Sequence, residues 1–423
     1  MPQACMPTIS WTISSIAPEY CMSSYTTQKI HIRRTVSLPD PVKLSRYLKV
    51  PEFGPRILFF SGGTALNPMS RALVRYTHNS IHLVTPFDSG GSSAKLRNAF
   101  KMPAVGDMRS RLMALADQSV KGNPEIYSLF TYRLPKDEDN QKLKSMLMRM
   151  ADGHHSLVRS VHDPMRKIVC SHLTAFASKM PDDFDLRGAS MGNLILTAGY
   201  FSHNRHIDPV IFLFSKLAEV RGMVRPIMNK YLHLVSRLEN GRVLLGQHEL
   251  TGKETPAIES PVQEIFLSGS LSNPAPIYPR LKKKVRRLIQ DAELICYPMG
   301  SFYSSLMANL LPRGAGSAIA QNECPKVYIP NTGHDPEEKG TSLRQRVEIL
   351  LYYLHLSAGK KYQDSQLLNF ILLDKDHTLY EGGVDLSGIE KLGIKVIEAP
   401  LADPESQPFL NKNFLIERLL SMV

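Results

Sequence analysis

The sequence predicts an α/β protein built on a mostly parallel sheet, with helices on both faces and a helical insertion. Three observations carry this. Short apolar runs alternate with helically spaced segments from residue 56 onward, and strands that alternate with helices form parallel sheets. Glycines and hydroxyl residues stand where apolar runs give way to helical spacing, as in "RILFFSGGTALNPMSRAL", residues 56–73. A long middle stretch, including "NLILTAGYF" and "VIFLFSKLAEV", has helical spacing almost throughout.

In chain order, residues 1 to about 40 are rich in Ser, Thr and Pro with little periodicity, and Met6 and Met22 are alternative starts. Residues 1–50 therefore read as an irregular leader. Residues 51–119 read as the first βα units, 120–240 as the helical insertion covering one edge of the sheet, and 241–423 as the second half of the sheet. Strands are expected at 56–60, 81–86, 263–268, 293–297, 326–330, 368–373 and 394–398. Helices are expected at 67–77, 107–117, 303–311 and 340–355.

A chain of 423 residues with 43% apolar and 21% charged side chains can bury one large core or two ordinary ones. No window reaches the roughly 18 apolar residues a membrane helix needs, and the N-terminus lacks the pattern of a secretory signal, so the expected location is the cytoplasm. Cys5, Cys21, Cys170, Cys296 and Cys324 show no C-x-x-C spacing, which points to reduced thiols rather than disulfides or zinc. The net charge of +12 rewards nucleic acid, anionic membrane or phosphorylated small molecules alike. Its densest run, "LKKKVRRLIQ" at 281–290, keeps an apolar helical stripe and reads as a solvated helix face, so no nucleic acid is expected.

The junction after the first strand carries Gly62, Gly63 and Thr64. A strand that turns sharply into a helix leaves N–H groups and a positive dipole end at the turn, a geometry suited to phosphate. Glycine lets the backbone approach such a ligand closely. A tight turn without a ligand is the alternative reading, because the pattern is neither G-x-G-x-x-G nor G-x-x-x-x-G-K-[ST]. After the second strand, "DSGGSSAKLR" (88–97) supplies Asp88, Gly90, Gly91 and Ser92. "GDMRSRLMALAD" (106–117) supplies Asp107 and Arg109, "RGASMGNLIL" (187–196) Arg187 and Asn193, and "PMGSFYSSLMANLL" (298–311) Gly300 and Ser301. Each has a structural reading: capping for Asp107 and Asn193, a surface ion pair for Arg187. Three Gly-hydroxyl junctions together point to a phosphate-bearing ligand at the sheet edge.

In order and spacing these segments resemble the 2-phospho-L-lactate transferase (CofD) superfamily over residues 56 to about 400, most nearly its bacterial branch with the YvcK-type gluconeogenesis factors. The resemblance implies a Rossmann-like sheet with helical insertions and a nucleotide across these loops: a guanosine diphosphate portion in the transferases, a UDP-sugar in the regulators. Departures stand at Ser61, where the regulator pattern has a glycine, at Asp88-Ser89, where an Asp-Asp pair is usual, and at Ala189, where a histidine is often found. "IPNTGHDPEEKGT" matches the family's strand-Asn-loop loosely at Asn331.

The resemblance implies first a transferase moving a phosphate-linked group from a nucleoside-diphosphate donor to a hydroxyl acceptor. Asp88 would hold Mg²⁺ or take the acceptor proton, the glycine backbones would cradle phosphates, and Arg187 or Arg109 would offset developing charge. Losing one of two adjacent carboxylates weakens that reading. The alternative is a regulator that binds a nucleotide-sugar in the same crevice without turnover. The expected partner is a small-molecule nucleotide, with a homodimer allowed.

Overall fold

A computed structural model describes residues 35–119, 122–252, 254–359 and 362–423. Most of the expected leader, with Cys5 and Cys21, lies outside them. Residues Ser37–Val423 form one compact unit.

The strands are β1 (Ile57–Ser61), β2 (Ile81–Val84), β3 (Met223–Pro226), β4 (His233–Leu238), β5 (Val243–Leu245), β6 (Val262–Ser268), β7 (Leu294–Tyr297), β8 (Lys326–Tyr328), β9 (Phe370–Asp374) and β10 (Lys395–Ala399). Seven form one sheet in the order β10-β9-β8-β7-β1-β2-β3, every neighbouring pair parallel. From β1 the chain builds outward through β2 and β3, and from β7 outward the other way. The β1–β7 boundary is thus a topological switch point, where ligands of open parallel sheets bind beyond the strands' carboxyl ends.

Alternation along β1 explains the two covered faces. Leu58 and Phe60 join the core that contains Ile295, Tyr297, Tyr328 and the helix Leu343–Ala358. Ile57 and Phe59 join the opposite core, with Leu294, Cys296 and the C-terminal helix Lys412–Ser421.

The α-helices up to residue 290 are α1 (Pro41–Lys49), α2 (Asn67–Leu73), α3 (Gly91–Phe100), α4 (Gly106–Leu115), α5 (Pro124–Thr131), α6 (Asn140–Ala151), α7 (Ser156–Arg159), α8 (Met165–Lys179), α9 (Met191–Ser202), α10 (Ile207–Leu217), α11 (Gln247–Leu250) and α12 (Lys283–Gln290). Helices α3 to α10 share a third core with Val84 and Val224, so the helical middle packs at the β2–β3 end of the sheet. In α12, Val285 and Ile289 are buried while Lys283, Lys284 and Arg287 face solvent.

Several elements differ from expectation. Regular structure begins before residue 50, at α1, whose N-cap Asp40 accepts from the Lys43 amide at 3.0 Å. Leu44, Tyr47 and Leu48 have helical spacing there, but the helix is only nine residues long and buries Leu44 alone. The run at 263–268 belongs to a separate antiparallel sheet, β5-β4-β6, rather than the parallel one. β4 and β5 were not expected, and β4 lies inside the expected helical middle together with β3, a four-residue edge strand whose Arg225 and Pro226 obscure the pattern, and Pro is tolerated at such an edge. The segment after Ser301 starts as a π-helix over Phe302–Met307 before turning α-helical at Ala308–Leu310.

Candidate functional site

The carboxyl ends of β1, β2 and β7 open onto a crevice of about 330 Å³ at the switch point. It is lined by Gly62, Gly63, Thr64, Asp88, Gly90, Gly91, Ser92, Asp107, Arg109, Asn193, Gly300 and Ser301, twelve of the thirteen residues expected from the sequence. Arg187 is the exception. Its side chain is 54% exposed, and its Nε donates to Asp185 Oδ1 at 2.8 Å outside the crevice lining. The surface ion pair is the reading that fits it.

The three glycine turns, alike in sequence, differ in structure. At the first, Arg111 Nη2 donates to the carbonyl oxygens of Gly62 and Gly63, each at 3.1 Å, and Nη1 bonds Ser70 Oγ. Arg111 is fully buried, and burial pulls its pKa down to about 10. A trans peptide directs its N–H opposite to its carbonyl, so the Gly63 and Thr64 N–H groups point away from Arg111. A Cβ added at Gly62 would lie 2.2 Å from Ser305 Oγ and one added at Gly63 2.5 Å from Asp107 Oδ1, so a larger residue at either position makes that side chain move.

At the second turn, Gly90 N–H donates to Asp88 Oδ1 at 3.1 Å and Gly91 N–H to Glu254 Oε1 at 2.8 Å. Ser89, standing where the resemblance leads one to expect an acid, bonds His248 through both Nδ1 (2.8 Å) and the backbone N–H (3.1 Å). The second sheet thereby reaches the crevice, since α11 follows β5.

The third turn is already filled by the chain's own side chains. Gly300 N–H donates to Asn331 Oδ1 at 2.8 Å, Phe302 N–H to Asp335 Oδ2 at 2.9 Å, and the Tyr303 and Ser304 N–H groups to Glu337 Oε2 at 2.7 and 2.8 Å. Gly300 and Ser301 form crevice wall, but these four amides are not a phosphate cradle. Asn331, matched only loosely in the sequence, holds the Gly300 loop in both directions, its Nδ2 donating to Gly300 O at 2.9 Å.

The crevice's cations are Arg109 and Arg133. Arg109 Nε donates to Asn193 Oδ1 at 3.1 Å, and Asn193 Nδ2 to Ser92 Oγ at 3.0 Å, which fixes the guanidinium between α9 and α3. Arg133 Nη1 donates to the Gly188 carbonyl at 3.2 Å. Among the described residues neither forms an ion pair. Burial and then the charge of Arg133 pull the Arg109 pKa down to about 10, with Asp107 offsetting part of it. Two mutually repelling guanidiniums that form no ion pair among the described residues are suited to an oxyanion. Two buried polar atoms in the lining, Ser61 Oγ and Gln247 Oε1, lack a hydrogen-bond partner among the described residues; their residues are 4% and 8% exposed. Such groups are costly unless a ligand or water completes them.

Arg133, Gln247, His248 and Glu254 were not expected from the sequence. "LLGQHEL", residues 244–250, repeats the strand-Gly-helix signal of the other turns and could have revealed Gln247 and His248. Nothing in spacing marks Arg133 or Glu254. Beyond Thr64, Met299 and Gly300 the crevice continues into a larger chamber of about 910 Å³, reaching His334, Asp403 and Phe409. Among the described residues no group of three or more His, Cys, Asp or Glu side chains is arranged to hold a metal ion, and no helix is long and apolar enough to cross a membrane.

A family model described as 2-phospho-L-lactate transferase CofD matches residues 57–402. The chain is 29% identical over 289 residues to the gluconeogenesis factor of Bacillus subtilis (strain 168), covering 67% of this chain and 70% of that protein. It is 28% identical over 353 residues to a putative gluconeogenesis factor of Thermoanaerobacterium thermosulfurigenes, covering 82% and 89%. A crystal structure of a UPF0052 family member from Bacillus halodurans superposes with a TM-score of 0.62 at 22% identity, covering 86% of this chain and 99% of that one, a likeness of fold.

Proposed function

Because the chain belongs to the 2-phospho-L-lactate transferase CofD family, we propose that its crevice binds a nucleoside diphosphate or nucleotide-sugar, and that the protein acts as a ligand-responsive factor. The names of the gluconeogenesis-factor relatives support that role. The observation that carries the binding reading is the Arg109–Arg133 pair, which forms no ion pair among the described residues, beside a glycine turn whose carbonyls Arg111 turns away. The diphosphate would lie against Arg109, Arg133 and the Gly63–Thr64 amides. Gln247 and Ser61 would offer their uncompleted polar atoms to the same ligand.

Native mass spectrometry of the purified protein tests retention of a nucleotide, and calorimetry with GDP, UDP and UDP-N-acetylglucosamine ranks the base. Absence of heat with all three at millimolar ligand sinks the reading.

A second reading, transfer of a phosphate-linked group, is favoured by the two carboxylates in the crevice, Asp88 and Asp107. Mg²⁺ takes oxygen ligands and keeps several waters, so these two residues suit a cation that draws its remaining ligands from the nucleotide's phosphates. That cation would neutralise charge on the transferred group. Asp88 is itself tied through Oδ1 to Gly90 N–H, which positions its carboxylate at the turn. Asp88→Asn should abolish any turnover while leaving the melting temperature within a few degrees; a large drop in stability at unchanged ligand affinity would identify Asp88 as a cap alone.

A further inference from the structure

The N-terminus of α3 opens onto the crevice, yet a carboxylate from the second sheet's connection occupies it. Glu254 Oε1 accepts from Gly91 N–H at 2.8 Å, and a Cβ added at Gly90 would lie 2.8 Å from the same oxygen. The glycine pair therefore leaves room for an anionic oxygen, and the chain supplies one. Among the described residues Glu254 pairs with no cation.

Glu337 provides the contrast within the same molecule. It occupies the π-helix N-terminus with 1% exposure, and the Ser304 hydroxyl and two amides hold it. Glu254 is exposed, makes a single side-chain hydrogen bond among the described residues, and follows two residues of positive φ, Gly246 (114°) and Gly252 (64°). One carboxylate is built in; the other is removable. Gln247 and Thr251 of the same connection also line the crevice, and Gln247 Oε1, on a residue 8% exposed, lacks a hydrogen-bond partner among the described residues, a second polar group there that a ligand would complete.

We infer that Glu254 is an internal competitor for the ligand's phosphate: the Gly91 amide at the start of α3 holds it in the free protein, and an entering phosphate displaces it and moves residues 254–258. This rests on the nucleotide-binding reading above and adds the regulation of that site. A carboxylate and a phosphate share the same donors here, since both accept from helix N-terminal amides. Displacement also carries one negative charge away from an incoming anion. The occupancy of the crevice is thereby coupled to the position of a surface segment, which a regulator of this kind requires.

The test uses the full chain, wild type, Glu254→Ala and Glu254→Gln, with inorganic pyrophosphate and UDP as probes in calorimetry and hydrogen exchange. Glu254→Ala should bind pyrophosphate about tenfold more tightly, the scale of one charge-assisted hydrogen bond. Glu254→Gln, which keeps an acceptor but drops the charge, should fall between. Pyrophosphate should raise exchange over residues 254–258 of wild type and leave it unchanged in Glu254→Ala. Equal or weaker pyrophosphate binding by Glu254→Ala overturns the inference, and if UDP still binds wild type, the nucleotide reading survives. Tighter pyrophosphate binding by Glu254→Ala with no UDP binding to any form keeps the competitor and removes the nucleotide. Failure of both probes with all three proteins removes both.

Discussion

Arg111 donates through a single nitrogen to the carbonyls of Gly62 and Gly63 at 3.1 Å, so a fully buried guanidinium on α4 sets the orientation of the turn after β1. Arg111→Met fills similar volume but leaves these carbonyls and Ser70 Oγ without that donor. Unsatisfied buried acceptors are costly, and the variant should lose about 2–4 kcal/mol of unfolding free energy in urea titrations. A loss near zero would mean that the turn keeps its shape without the arginine.

Gly63 faces Asp107. Gly63→Ala places a methyl group 2.5 Å from Asp107 Oδ1, so the carboxylate must shift inside the crevice. Ligand affinity should fall about tenfold with cooperative unfolding retained, and the larger Gly63→Val should fall further. Calorimetry reads both. Unchanged affinity in either would show that the glycine pair only turns the chain.

Arg109 and Arg187 separate the crevice from the surface. Arg109→Ala should cost roughly 1.5–3 kcal/mol of binding, the worth of a hydrogen bond to a charged group. Arg187→Ala should change affinity less than about twofold, because exposed ion pairs contribute little. The reverse ranking would return Arg187 to the binding site.

Glu337 makes stability pH-dependent. Burial, then the charge of Asp335, raises its carboxyl from 4.5 to about 8, while the Ser304 and Tyr303 contacts pull the other way. The folded protein thus holds this proton more tightly than the unfolded chain. Its contribution is full below about pH 4.5 and is lost as pH rises through about 8. Glu337→Gln should flatten that decline, measured as urea midpoints between about pH 5 and 8. A wild-type midpoint that rises over this interval, with no change in slope on substitution, would count against it.

The parallel sheet was legible because strands buried on both faces are short continuous apolar runs, as at 57–60 and 294–297. The antiparallel sheet was not. Its β6, "VQEIFLS", reads like any other apolar run, and only pairing with β4 reveals its neighbours. Among candidate site residues, those on Gly-hydroxyl junctions were readable because the chemistry of a close backbone approach restricts the residue types locally. Arg133 and Glu254 carry no such local restriction and come to the crevice from distant segments.

The sequence alone determined seven of the strands, the two covered faces of the sheet and the three glycine turns, since periodicity and backbone sterics act over a few neighbouring residues. Only the tertiary structure decided which turn still has amides to offer. Arg111 orients the first, Glu254 occupies the second and Glu337 fills the third, and each belongs to a segment remote in sequence from the turn it completes. A hydrogen-bond donor's partner is chosen by what packing brings within about 3 Å, and the pattern around a glycine carries no record of that.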